Sequence, residues 1–329
     1  MGGDFAPQNV VEGSLDALRS TSNRFQIVFV GQEDRIRAEL DRHDTRGLAF
    51  DVIHASEIIG MEDSPTAALK VKRDSSIGVG MTAQREGKVD AVVSAGNTGA
   101  VMSAATLILG RLEGAGRPTI GAFMPTEKGV CLLLDAGANV DCRAQHLLEF
   151  AIMGSIYASY VMKLERPKVG LLSVGEESAK GNEVTQEANE LLAASELNFI
   201  GNVEGRDILK GKAQVVVCDG FVGNIVLKFA ESVLDLLRAK FREYAAKDIL
   251  RKIWTGLMYR TLKRVLRDLD YQEHGGLPLL GVNGITIIGH GGSTAKAIKN
   301  MILEAEAFAR MDVNSHIKQA LAAHSMGFR

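Results

Sequence analysis

Glycines and small polar residues are concentrated in three segments of this chain that could hold an anion. The segments are residues 94–99, 219–224 and 289–293, and each follows a short apolar run rich in β-branched residues. Glycine allows close backbone approach, and the N–H groups at a helix N-terminus attract negative charge. Three such turns facing one crevice would bind phosphate, so these residues first predict a phosphate-handling enzyme.

Each turn also has a purely structural interpretation, as a tight strand-to-helix connection with a helix cap. Residues 94–99 match neither the Gly-x-Gly-x-x-Gly pattern nor the Walker pattern, which disfavours a nucleotide-phosphate site of either standard type. The candidate phosphate-binding residues of the three turns are Ser94, Gly96, Asn97, Thr98, Gly99, Asp219, Gly220, Gly291, Gly292 and Ser293.

Three reactive side chains lie in or near these segments. Lys180 follows small residues in a loop, where its ammonium could bind phosphate or could simply be a surface charge. His290 is flanked by Gly289 and Gly291, so a hydrogen-bond donor or general acid is a better interpretation than a core histidine. Cys218 could carry an acyl-thioester, but alternation along its strand favours a buried, unreactive thiol.

Composition excludes several classes of protein. With 329 residues, 46% apolar and 24% charged, the chain is typical of an α/β globular protein, and its formal net charge of −2 gives no sign of a nucleic-acid partner. The three cysteines show no disulfide or metal spacing, which favours a reducing cytoplasm and predicts no metal site. No apolar run approaches the roughly 20 residues of a membrane-spanning helix.

The elements that must position these turns alternate along the chain. Strands are expected near residues 26–30, 49–54, 89–93, 119–124, 130–135, 168–173, 198–200, 214–218 and 286–288. Helices are expected near residues 9–19, 66–71, 101–109, 142–161, 183–195, 224–240 and 295–309. The alternation predicts a three-layer α/β fold with a doubly wound, mostly parallel sheet, which a hairpin at residues 123–129 makes mixed. Ligands in such sheets bind beyond the carboxyl ends of the strands.

One basic, amphipathic segment at about residues 236–270 departs from the average composition. Between Leu236 and Arg267, ten lysines and arginines face only Glu243 and Asp248, and apolar pairs recur at helical spacing. The segment is either a helix packed on the body or on a second subunit, or a protruding element that contacts an acidic partner or an anionic membrane. The contact candidates are Trp254, Leu257, Met258, Arg260, Lys263 and Arg264.

Taken together, these segments resemble the bacterial phosphate acyltransferase (PlsX) family. The resemblance spans nearly the whole chain and is carried by residues 1–7, 94–100, 134–139, 175–177, 180–183, 218–224 and 276–284. It implies one domain over residues 1–329 that includes the helical segment at 236–270. It also implies a fold similar to those of phosphate acetyltransferases and isopropylmalate dehydrogenases. Family members usually begin with a short strand ahead of the position of Met1.

The resemblance implies transfer of a fatty acyl group from acyl-acyl carrier protein to inorganic phosphate, without cofactor or metal, for phospholipid (phosphatidic acid) synthesis. It makes Lys180, Asn182, Asn224 and His290 the catalytic candidates and adds Asp4 to the substrate-binding residues. It further implies a cytoplasmic homodimer that contacts the inner face of the membrane and a membrane glycerol-phosphate acyltransferase. The alternatives are a short-chain acetyl- or butyryltransferase that uses coenzyme A, and a non-catalytic membrane scaffold for lipid-synthesis enzymes.

Overall fold

The computed structural model describes residues 1–249, 251, 254–256, 258 and 275–327. The strands are β1 (Ile27–Gly31), β2 (Phe50–His54), β3 (Ala91–Ser94), β4 (Thr119–Thr126), β5 (Gly129–Leu134), β6 (Val169–Leu172), β7 (Phe199–Val203), β8 (Val215–Val217), β9 (Leu277–Leu280) and β10 (Ile285–Ile288). The helices are α1 (Gln8–Thr21), α2 (Glu33–Leu40), α3 (Pro65–Val71), α4 (Ser76–Arg85), α5 (Thr98–Ala104), α6 (Ala144–Tyr160), α7 (Glu183–Ala193), α8 (Gly205–Leu209), α9 (Gly220–Ala246), α10 (Ala295–Arg310) and α11 (Val313–Gly327), and a π-helical turn, Ala105–Leu109, continues α5.

Eight strands form the central sheet, in the order β3–β10–β9–β4–β5–β8–β6–β7. Four of its seven pairings are parallel, and the three antiparallel pairings join β10 to β9, β9 to β4 and β4 to β5. The predicted mixed, mostly parallel sheet is therefore confirmed, and so is the hairpin, which links β4 to β5. Strand β9 was not expected from the sequence.

Helices cover both faces of this sheet, as expected for three layers. Along β5, Leu132 and Leu134 point into a core built with α6, α7 and α11. The alternate residues Cys131 and Leu133 point into a second core with α8 and α9. Successive side chains of a strand lie on opposite faces, so the nearly continuous apolar run in β5 reflects burial on both sides.

A cavity separates the central sheet from a second, two-stranded sheet. Strands β1 and β2 pair in parallel with each other, and among the described residues no ladder joins them to β3. The cavity, of about 530 Å³, lies between β1 and β3 and is lined by α1, α4 and α10 as well as by Met1. Interiors are normally close-packed, so a void of this size within the α/β layers is unusual.

Helix α9 has 27 residues and contains the predicted helix at residues 224–240. Beyond it, Trp254 and Met258 are helical and largely exposed. Leu257, Arg260, Lys263 and Arg264 lie outside the described residues, so the predicted contact surface stays a prediction, as do the extent of the domain and a protruding element. Among the residues that the structure describes, no helix is both long and apolar enough to cross a membrane.

A carboxyl group on α10 connects three elements beneath the sheet. Glu304 accepts a hydrogen bond from the hydroxyl of the fully buried Tyr157 on α6, and another from the backbone N–H of Gly276, just before β9, at 3.0 Å. Burial raises the pKa of Glu304 to about 7, against the two hydrogen bonds, which lower it. In the folded protein this group therefore binds its proton more tightly than in the unfolded chain.

We expect the contribution of Glu304 to stability to fall as the pH rises from about 4.5 to about 7, because over this range the unfolded chain releases the proton of this carboxyl group while the folded state still holds it. Glu304→Gln should remove this component. The measurement is the melting temperature of both proteins between pH 5 and pH 8. Glu306→Gln, on the same helix but in an ion pair with Arg24, is the control. Parallel melting profiles for wild type and Glu304→Gln would contradict the assignment.

Candidate active site

Three strands of the central sheet lead directly into capped helix N-termini. The caps are Asn97 after β3, Asp219 after β8 and Thr294 after β10, and each side-chain oxygen accepts from the backbone N–H three residues later, at 3.0, 2.8 and 3.3 Å. Ser, Thr, Asp and Asn are preferred at this position because they satisfy one of the free N–H groups of the first turn. The sequence-predicted turns thus lie at helix N-termini.

The first loop cluster consists of residues 2–4, 60–63, 94–99 and 289–293. The backbone N–H of Asp4 donates to the carbonyl of Gly291 at 3.0 Å, and the side chain of Asn9 on α1 donates to the carbonyl of Ser293 at the same distance. A side chain at Gly3 would meet the carbonyl oxygen of Ala95 at 2.9 Å, so glycine is needed for this approach. The structure therefore brings Asp4 together with the turns after β3 and β10.

Asn97 holds this cluster together through its side chain. Its amide donates to the carbonyls of Gly60, Met61 and Asp63, each at 3.1 Å, while its oxygen caps α5. The hydrogen-bonding groups of its side chain are thus already used within the protein, and a bound anion would contact only the backbone of Asn97. The hydroxyl of Ser94 accepts from the N–H of Gly96 at 3.2 Å.

His290 has a defined tautomer in its turn. The N–H of Gly292 donates to its Nδ1 at 3.2 Å, so the neutral imidazole carries its proton on Nε2. The N–H of Ser293 donates to the carbonyl of His290 at 2.9 Å. The N–H groups of Gly292 and Ser293 are therefore already used within the turn, and the residue His290 itself is exposed.

The second loop cluster consists of residues 135–139 and 219–224, at the ends of β5 and β8. Its centre is Asp135, a fully buried carboxylate. Oδ1 accepts from the N–H groups of Ile120, Gly137 and Ala138, and Oδ2 accepts from the N–H and the side-chain amide of Asn139. Burial raises the pKa of Asp135, and these hydrogen bonds oppose the rise.

The first turn of α9 is packed directly on this loop. The N–H of Gly220 donates to the carbonyl of Asn139 at 2.7 Å, and a Cβ atom at Gly223 would overlap the carbonyl oxygen of Asp135. Asn224 is exposed beside Gly137. Asp219 serves as the helix cap, so the structure uses its carboxylate for α9 and leaves the amide of Asn224 on the surface of the cluster.

Lys180 and Asn182 lie in the loop between β6 and α7. Asn182 caps α7, and its oxygen accepts from the N–H and the hydroxyl of Thr185, which leaves its NH₂ group as a donor. Lys180 is exposed, and in the described part of the chain no carboxylate lies within 4.0 Å of its ammonium. β6 pairs with β8, so this loop and the second loop cluster follow adjacent parallel strands.

One apolar cluster connects the two loop clusters. Ala100 and Val101 of α5 share it with Ala136, and Ala138 and Leu227 pack against it. The three antiparallel pairings reverse the strand direction between β10 and β8. A sheet twist of roughly 20–25° per strand adds up to roughly 80–100° over the four steps from β10 to β8. With this rotation the two strands are closer to perpendicular than to opposed. Loops that follow strands of opposite nominal direction can therefore border one crevice.

Sequence reasoning missed the residues that build the site rather than line it. Asp135 and Asn139 had a signal, because residues 134–139 belong to the family-like segments, but a carboxylate that binds only backbone N–H groups cannot be recognised from its type. Asn9 had no signal, since its partner Ser293 is 284 residues away. The burial predicted for Cys218 is confirmed, and desolvation raises the pKa of its thiol well above the usual value.

The sequence matches known proteins over almost its whole length. The model of a family described as "Fatty acid synthesis protein" matches residues 1–316. A protein of Pelobacter propionicus named phosphate acyltransferase is 48% identical over 322 residues, which cover 98% of this chain and 92% of that protein. One of Chlorobaculum tepidum with the same name is 46% identical over 331 residues, which cover 98% of this chain and all of its own.

Solved structures share the fold at low sequence identity. A phosphotransacetylase from Streptococcus pyogenes superimposes with a TM-score of 0.65 at 18% identity, covering 93% of this chain and 92% of its own. This likeness confirms the predicted similarity to phosphate acetyltransferase folds. The family model and the two relatives show that the chain belongs to the fatty acid synthesis protein family, the family of the phosphate acyltransferases.

Proposed function

We propose that this protein transfers a fatty acyl group from acyl-acyl carrier protein to inorganic phosphate and so supplies acyl-phosphate for phospholipid synthesis. The observation that carries the proposal is the near-complete match to relatives named phosphate acyltransferase. The site adds chemical support, because its loops present N–H donors and an unpaired cation beside capped helices. Such an arrangement suits an anion that must be held in one orientation.

The reaction needs no nucleophile from the protein. An oxygen of the phosphate dianion attacks the thioester carbonyl carbon, the new C–O bond forms, and the C–S bond breaks to release a thiolate. Cys218, at the end of β8, is buried and donates to the carbonyl of Asp135 at 3.8 Å, which supports direct attack over a covalent intermediate on this thiol. Catalysis then consists of positioning and charge stabilisation.

Phosphate would be held by backbone N–H groups and by Lys180. At the start of α5 the N–H groups of Thr98 and Gly99 donate to nothing among the described residues, and the helix dipole adds to their attraction. Asp4 offers only acceptor oxygens, so its role would be to orient the turn at Gly291 or to accept from a protonated phosphate oxygen.

The developing charges on the acyl group would be met by three donors. The free NH₂ of Asn182 and the exposed amide of Asn224 suit the thioester oxyanion. The Nε2–H of His290 suits the leaving thiolate, which it would stabilise by a hydrogen bond while the sulfur takes its proton from solvent. In this proposal the phosphate and the acyl group each draw donors from both sides of the crevice.

Exposed apolar residues favour a long-chain donor over the alternative, a short acyl group carried by coenzyme A. Phe221, Val222 and Ile225 lie on the first turns of α9 next to the second loop cluster, and all are exposed. A contiguous exposed apolar surface marks an interaction site, and a fatty chain would cover more of it than an acetyl or butyryl group does.

A homodimer is supported by the rest of α9. Its apolar residues form a stripe that stays exposed over about four turns, with Phe229, Val233, Leu237, Phe241 and Tyr244 three or four residues apart. An unpartnered stripe of this length on a single helix is typical of a helix that packs against another one. A second copy of the same chain would provide that partner in an isologous contact.

Contact with the membrane or with acyl carrier protein is proposed for the residues beyond α9. Trp254 and Met258 expose apolar surface in a segment rich in lysine and arginine. Both an acidic carrier protein and an anionic bilayer complement that combination. The same surface would let a cytoplasmic enzyme deliver a greasy product to a membrane glycerol-phosphate acyltransferase.

We expect Lys180→Ala and His290→Ala each to lower acyl-phosphate formation by about 10²-fold, the scale for losing a positioned charge or proton donor. The measurement is the initial rate of phosphate-dependent acyl transfer from acyl-acyl carrier protein. Lys210→Ala, another exposed lysine, and Cys218→Ser should keep nearly full rates. Near-normal rates in both site variants, with normal melting curves, would exclude them from the site, and a trapped acyl group on Cys218 would overturn direct attack.

The only tryptophan, Trp254, reports directly on membrane contact. We expect its fluorescence to shift to shorter wavelength with phosphatidylglycerol vesicles at low salt, and the shift to weaken in Met258→Glu and at high salt, where charges are screened. Val71→Glu, another exposed apolar residue, is the matched control. If Met258→Glu instead dissociates or unfolds the protein in sedimentation experiments, these residues form a subunit interface and the membrane proposal is wrong.

A further inference from the structure

Two buried asparagines join α7 to the loop that carries Lys180. The side-chain amide of Asn189 on α7 donates to the oxygen of Asn202 on β7 at 2.8 Å. The amide of Asn202 in turn donates to the backbone carbonyl of Glu177, also at 2.8 Å. Only 8% of Asn189 and 2% of Asn202 are exposed, so water does not compete for these bonds.

The two hydrogen bonds that run from Asn189 through Asn202 to the carbonyl of Glu177 form a relay, and that carbonyl also fixes the backbone of Lys180. Glu177 accepts a second hydrogen bond from the N–H of Lys180, at 3.0 Å. One carbonyl oxygen therefore receives the buried amide of Asn202 and the backbone of Lys180. The position of that backbone depends on where the carbonyl is held.

The residues of α7 that face the loop are amides at helical spacing. Asn182 caps the helix, Gln186 donates to the carbonyl of Ala179 at 2.7 Å and to that of Gly181 at 3.3 Å, and Asn189 begins the relay. Positions 182, 186 and 189 follow the i, i+4, i+7 pattern of one helix face. This face of α7 therefore binds the loop at both sides of Lys180.

An irregularity in β7 directs Asn202 toward α7. Val169 pairs with Phe199, but Leu171 pairs with Asn202, so β7 has one extra residue between the two pairs. Gly201 takes up this bulge with φ of +90°, a conformation that other residues rarely adopt, although a side chain there would meet nothing within 4 Å. Without the extra residue, Asn202 would lie on the opposite face of the sheet.

We propose that Asn202 is a positioning residue. The Gly201 bulge turns its side chain toward α7, Asn189 holds it there, and through the carbonyl of Glu177 it fixes the position of Lys180 relative to the bound phosphate. The proposal rests on the proposed function, in which Lys180 binds phosphate. A bulge beside a site commonly re-aims a side chain, and a shift of about 1 Å in a binding group costs up to about 10²-fold in rate. Asn202 itself touches no substrate, since it is buried beneath the loop.

The test is Asn202→Asp, which has the same shape and still accepts from Asn189 but presents an oxygen to the carbonyl of Glu177. With Lys180 intact we expect kcat/KM for phosphate to fall by about 10-fold or more. In a Lys180→Ala background the same change should alter it by less than about 2-fold, because the group that Asn202 positions is gone. Asn202→Ala provides a second, uncharged variant should the buried aspartate prevent folding.

Asn198→Asp is the matched control, because Asn198 also donates to a backbone carbonyl, that of Arg166, near the start of β7. Amide hydrogen exchange over residues 177–182 should speed up in both Asn202 variants but not in Asn198→Asp. Equal losses of kcat/KM with and without Lys180, or unchanged exchange in the loop, would overturn the positioning role. If Lys180→Ala alone keeps full activity, the proposed phosphate site fails, and an accelerated exchange would still show the loop anchor.

Discussion

Asp135 accepts five hydrogen bonds at the buried end of β5, and the second loop cluster of the candidate site is built around that carboxylate. A buried charge is tolerated only when donors surround it, so the chain from residue 135 to 139 must curl back over the side chain. The curled loop offers the carbonyl of Asn139 to Gly220 and leaves room at Gly223 for the carbonyl of Asp135. The start of α9, and with it Asn224, is therefore fixed by an interaction at the end of another strand.

The first loop cluster uses a neutral side chain for the same purpose. Asn97 donates to three carbonyls of residues 60–63 and also caps α5, so one amide fixes both a helix start and a neighbouring loop. The two arrangements share a principle, because in each one a side chain at a strand end holds the backbone of a loop. In the first cluster this leaves the N–H groups of Thr98 and Gly99 without an acceptor among the described residues. Binding an anion through such groups needs little reorganisation when the charge develops.

Much of the fold was predictable because the signals are local. The strand-to-helix turns at Asn97 and Asp219 combine apolar runs with capping residues, and the structure contains them. Strand β9 was missed because it contains Pro278, which cannot donate to a ladder, yet this proline lies opposite Ile287 on an interior strand of the sheet. The bonds that assemble the site, such as that from Asn9 to Ser293, join distant parts of the chain and leave no pattern in the sequence.

For the proposed reaction, the distribution of reactive groups favours a site made of loops over a catalytic dyad. The thiol of Cys218 lies inside the core formed by β5, β8 and α9, where desolvation keeps it protonated, while Lys180 and His290 are exposed on loops. A reaction between a charged phosphate and a thioester already contains its nucleophile. A protein therefore accelerates it most by restricting the relative position and orientation of the two reactants. Loops anchored on the ends of strands would provide this restriction, and the buried amides of Asn189 and Asn202 anchor the loop that carries Lys180.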